Sequence, residues 1–131
     1  MLRLGGCALA LVIALLIAGC QSKMVQEFPL TKFKAENMLD QGIRQYDDGN
    51  YKVASRNIQA ALDAGLTRRS QARAHKYLAF IHCVSEEQAQ CRDEFRRALE
   101  IDPNMKLKAE EAGHPIWGPV FRSVKTGKTD N

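Results

Sequence analysis

The chain has no glycine-rich phosphate loop, because Gly5-Gly6 lies in an apolar N-terminal run and no glycine cluster precedes a lysine and a hydroxyl. It has no alternating apolar-polar stretch that would make a half-buried strand, so a sheet is not expected. Its three histidines lack a complete metal-ligand set. His75 and His82 lie seven residues apart and share a helix face, but no acidic or cysteine side chain joins them there. His82-Cys83 together with Cys91 offers no third orienting group for a cysteine nucleophile. The carboxylate pairs Asp47-Asp48, Glu86-Glu87 and Glu110-Glu111 fall at turns or helix starts, where solvated acids are expected. No catalytic set, cofactor or metal is therefore expected, and the chain does not read as an enzyme. The excess of positive charge is small, +4 over 131 residues, far from a nucleic-acid footprint.

What the chain does have begins at its N-terminus. Arg3 is followed by an almost unbroken apolar run over residues 8–18, about half the roughly 20 residues a membrane span requires. The run closes on Leu16-Ile17-Ala18-Gly19-Cys20. A positive start, a short apolar stretch and small residues before a cysteine form the layout of a secretory signal. The ending resembles the lipobox of bacterial lipoproteins. That resemblance implies that residues 1–19 are a lipoprotein signal peptide. Cys20 then becomes the acylated first residue of the mature chain, anchored to membrane lipid. Several acyl chains on one residue exceed the two-signal threshold for stable anchoring. Gln21, where aspartate tends to retain such proteins in the inner membrane, points to the outer membrane and its periplasmic face.

Without those 19 residues, 112 remain, enough for one small domain. Arg3 is the one charge lost, which leaves an excess of +3. Residues 20–30 are polar, contain Pro29, and read as a lipidated tether. From Thr31 the spacing turns helical. Phe33, Met38, Leu39, Ile43 and Tyr46 form one helical stripe, broken by Asp47-Asp48-Gly49-Asn50. Tyr51, Val53, Ala54, Ile58, Ala61 and Leu62 form a second, closed by Gly65. Thr67 or Ser70 caps a third, carrying Ala72, Ala74, Tyr77, Leu78, Ile81 and Val84. After a turn at Ser85-Glu86, Cys91, Phe95, Ala98, Leu99 and Ile101 mark a fourth, which stops before Pro103. The fold class is all-α.

These helices resemble two tetratricopeptide units over residues 31–103. Gly42, Gly49, Tyr51, Ala54, Ile58, Ala61 and Leu62 match the first. Leu78, Ala79, Cys91, Phe95, Ala98, Leu99 and Pro103 match the second. The equivalent Gly42 and Ala79 are 37 apart, against a usual period of about 34, which places three extra residues near 67–70. Met38 and Gln41 depart from the pattern, where tryptophan and leucine are usual. Two repeats bury too little to stand alone, so residues 104–131 should supply a C-terminal cap and a frayed tail. Ile116, Trp117, Val120, Phe121 and Val124 form its stripe, expected to dock on the fourth helix, with Pro115 suited to a first turn. Pro119, inside that stripe, predicts a short or bent helix.

Tetratricopeptide geometry puts binding on the concave face lined by the first helix of each unit. The positions there are Glu36, Leu39, Ile43, Tyr46 and Asp47, then Arg73, Lys76 and Phe80. Ile43, Tyr46 and Phe80 are expected as exposed apolar anchors beside Arg73 and Lys76, a surface for an acidic peptide. The opposite outcome also fits: the C-terminal segment or the tether folds in and fills the groove. Arg92, Arg96 and Arg97 read as a solvated face. Cys83 and Cys91 flank a turn in what would be an oxidising compartment. The sequence leaves open a disulfide or two buried thiols.

The lipobox, the stretch FIHCVSEEQAQCRDEFRRALEIDP and the stretch EAGHPIWGPVFRSVK together resemble the TssQ-type lipoproteins associated with type VI secretion. The resemblance implies an accessory envelope scaffold that binds other secretion-system proteins. A pilotin or outer-membrane assembly lipoprotein, escorting a pore-forming partner, is the alternative.

Overall fold

The structure is a computed structural model that describes residues 27–127. The signal, Cys20 and the tail beyond Gly127 lie outside the described residues. The chain divides into two compact units, residues 1–31 and 32–131. Of the first, only the opening of one helix is described, and the architecture below is that of the second.

It is all-α, built of helical hairpins. Helix α1 spans Glu27–Asp47, α2 Tyr51–Ala64, α3 Arg68–Val84, α4 Gln88–Ile101, α5 Ala109–Ala112 and α6 Trp117–Thr126. Helix α1 starts four residues before Thr31, so residues 27–30, at the end of the expected tether, are helical. Pro29 is its third residue, where a missing N–H breaks no helical hydrogen bond.

The boundaries follow from local chemistry. Thr67 caps α3, its hydroxyl accepting from the Ser70 N–H at 3.3 Å. Gly65 ends α2 with φ 98°, and its N–H donates to the Leu62 carbonyl. The α3–α4 turn needs a left-handed residue as well, and Glu86 takes it at φ 64°. Helix α6 starts at Trp117, so Pro119 is again a third helical residue. Of the two expected outcomes, short or bent, the helix is short, at ten residues, and Pro119 sits in its first turn, where proline is tolerated.

Helix α3 is the central element, buried on several sides. Toward one side, Ala74, Leu78 and Ile81 join Leu39 and Ile43 of α1 and Ala54, Ile58 and Ala61 of α2 in a first cluster. Toward the other, Ala79, Phe80 and Cys83 join Cys91 and Phe95 of α4 and Trp117, Val120 and Phe121 of α6 in a second. Tyr46 and Tyr77 border both clusters, with ring centroids 5.2 Å apart at a T-shaped angle.

Close backbone approach sets the first hairpin. A Cβ on Gly42 would sit 2.6 Å from Ile58 Cγ1 and 3.2 Å from the Ala54 carbonyl oxygen. Glycine at 42 is what lets α1 and α2 touch, as the spacing predicts. In the cap, Glu111 in α5 accepts from the Lys108 backbone N–H at 3.0 Å, and the Trp117 indole N–H donates to the Glu111 carbonyl at 2.9 Å. As expected, α6 lies against α4: Phe121 meets Phe95 edge-on at 5.3 Å.

Candidate interaction surfaces

Cys83 in the last turn of α3 and Cys91 in the first turn of α4 form a disulfide, with Cα atoms 5.0 Å apart. Both are buried. The two side chains converge because the tight turn at Ser85-Glu86 brings the helix ends together, and both then point into the second cluster. The bridge ties α3 to α4 beneath the aromatic core.

The concave-face expectation needs correction residue by residue. Leu39 is 0% exposed and Ile43 6%, both spent on packing against α2 and α3. Phe80 is 1% exposed, covered by the Trp117 ring at 4.4 Å between centroids. Tyr46 is half-buried, its ring among those of Tyr51, Tyr77 and Phe80. None of the three expected anchors stands open. The physical reason is that α2 and α3 close over Ile43, while α6 covers the apolar face of α3 that two hairpins leave bare.

The charged groove positions are occupied too. Lys76 is buried, and its ammonium donates to both Glu111 oxygens at 2.8 and 3.0 Å. The same ammonium lies 4.9 Å from the Tyr77 ring centre and 5.5 Å from that of Phe80. Glu111, expected as a solvated acid, is thus the largely buried counter-ion of Lys76. Arg73 is exposed and pairs with Asp40 at 3.2 Å. Glu36 accepts from the Ser70 hydroxyl at 2.7 Å and the Thr67 hydroxyl at 3.2 Å. Asp47 is exposed at the end of α1.

The histidines of α3 and the arginines of α4 pair locally. His75 Nδ1 lies 2.6 Å from Glu94 Oε2, and the Arg97 guanidinium donates to the other Glu94 oxygen at 3.1 Å. His82 pairs with Glu87 across the turn. Arg96 pairs with Asp93 at 2.5 Å, so the α4 basic face is partly neutralised. Burial first, then the neighbouring Tyr51 and Tyr77 phenols, push the Tyr46 hydroxyl far above the usual phenol range. Burial and then Glu111 raise that of Tyr77. Both phenols stay protonated through ordinary pH and serve as packing groups, not bases. Among the described residues, no three His, Cys, Asp or Glu side chains are grouped to hold a metal ion. No described helix is long and apolar enough to cross a membrane.

An open cavity of about 360 Å³ lies on a different side, between the first turns of α2 and the end of α3. Its floor is Ile81, and its walls carry Tyr51, Lys52, Ser55, Arg56 and His82. Sequence reasoning missed it. The available signal was that α2 carries Lys52 and Arg56 one turn apart with no acidic residue before Asp63.

No protein-family model, no curated protein and no solved structure matches this chain.

Proposed function

We propose that the chain is an outer-membrane lipoprotein, anchored through Cys20, whose periplasmic hairpin domain acts by binding proteins and not by catalysis. Type VI secretion is the machinery it serves. The observation that carries the reading is the Cys83–Cys91 disulfide. Such a bridge suits an oxidising compartment, which is where the LIAGC ending would deliver the chain. The two stretches that resemble TssQ-type lipoproteins also meet in space, since Trp117 stacks on Phe80 and Phe121 meets Phe95 edge-on. They form one packed unit.

The test is metabolic labelling of the native strain with palmitate, followed by membrane fractionation. Label in the outer-membrane fraction, lost with Cys20→Ser, is the expected result. An unlabelled chain that partitions with soluble periplasm would refute the anchor, and with it the proposed location.

A further inference from the structure

Lys52 and Arg56 sit four residues apart on α2 and face the same cavity, and neither has an ion-pair partner among the described residues. That separates them from Arg73, Lys76, Arg96 and Arg97. Arg73 holds Asp40, Lys76 holds Glu111, Arg96 holds Asp93 and Arg97 holds Glu94. The one acid in the cavity wall, Glu87, is engaged with His82. Lys52 and Arg56 against the single carboxylate of Glu87 leave the cavity lining net positive.

Beneath that rim the surface is apolar. Ile81 is buried at 4% exposure, while the Tyr51 ring stands 38% exposed beside it. The volume is near the lower bound for a specific small site, about 300 Å³. It has room for one aliphatic or aromatic side chain. The hydroxyls of Ser55 and Ser85 add donors on opposite walls.

We infer that this α2–α3 cavity is a docking site for an acidic peptide segment of a partner protein. One apolar side chain of that segment rests on Ile81 and Tyr51, and flanking carboxylates meet Lys52 and Arg56. Lys52 and Arg56 lie one helical turn apart, with Cβ atoms about 5–6 Å from each other, so both can meet carboxylates of one segment. Charge complementarity selects an acidic occupant, and the apolar floor selects one carrying an anchor. The surface lies away from the face that α5 and α6 have closed. The inference rests on the protein-binding reading above and gives it a place on the molecule.

The test is an amide-resolved NMR titration of the full chain in detergent micelles with acetyl-Glu-Glu-Leu-Glu-Glu-amide. The control peptide carries lysine in place of glutamate. Saturable shifts confined to residues 51–56 and 81–87 are expected with the acidic peptide only. The double variant K52E/R56E should weaken binding about tenfold or more, and K52Q/R56Q by less. Circular dichroism checks that both variants keep their helices. No shifts at these residues, an equal response to the basic peptide, or unchanged binding by K52E/R56E would each overturn the site. Failure of the wider reading looks different: an acylated chain that captures no envelope protein refutes the scaffold, whatever the peptide does.

Discussion

Trp117 lies nearly parallel on Phe80, with 4.4 Å between ring centroids and 27° between planes. One residue was expected to greet a partner and the other to cap a helix, and each completes the burial of the other. The concave face of the second hairpin is filled by the chain's own C-terminal segment. Any partner surface must lie elsewhere.

Phe80→Ala should therefore destabilise the domain by about 3–5 kcal/mol, the range for emptying a buried aromatic site. Trp117→Ala should follow the same direction. Urea unfolding monitored by circular dichroism measures both. A Phe80→Ala protein with unchanged midpoint would mean that the ring is a surface anchor after all.

The Cys83–Cys91 bridge closes a loop across a sequence separation of 8. Chain entropy assigns such a loop about 2.5 kcal/mol. Cys83→Ser with Cys91→Ser, or reduction of the native chain, should lower stability by about that amount. An oxidised and a reduced protein with the same unfolding midpoint would contradict it.

Gly42→Ala puts a methyl 2.6 Å from Ile58 Cγ1, with α2 backbone atoms at 3.1 and 3.2 Å behind it. Ile58 is fully buried and β-branched, so it has little room to yield. A loss of about 1–3 kcal/mol is expected by denaturant unfolding. A neutral result would show that the α1–α2 crossing is looser than described.

Lys76 and Glu111 test the seating of the cap. Lys76→Met alone strands a buried carboxylate and should cost about 3–5 kcal/mol, whereas Lys76→Met with Glu111→Leu should recover much of it. A double-mutant cycle in urea reads the coupling. Independent, additive losses would show that the pair is not closed.

Alkaline pH should weaken the fold through Tyr46 and Tyr77. Their folded hydroxyls hold protons more tightly than the unfolded value of 10.0. Above about pH 10 the unfolded chain releases those protons first, so stability present below that pH is lost as pH rises. Tyr46→Phe should flatten this loss in unfolding curves taken from pH 9 to 11. An equally steep loss in the variant would acquit Tyr46.

Much of this architecture was legible before any coordinates. Gly65, Thr67 and Pro103 mark helix ends through chemistry confined to a few residues, and Gly42 opposite Ala54 announces a close crossing. The concave face was not legible, for a physical reason. Leu39, Ile43 and Tyr46 make the same stripe whether a partner or a neighbouring helix lies against it. Lys76 and Glu111 are 35 residues apart, and no local spacing relates them. The four-residue α5 is too short to leave a periodic signal. The α2–α3 cavity arises where two helix ends diverge, which only tertiary packing decides.

We propose that the acylated hairpin domain holds other envelope proteins. Cross-linking and affinity capture from the native envelope, read by mass spectrometry beside a Cys20→Ser control, tests it most directly. Type VI membrane-complex or baseplate subunits should be recovered from the wild type and lost from the control. Recovery of a secretin or barrel-assembly protein instead, or the same proteins with and without the anchor, would contradict it.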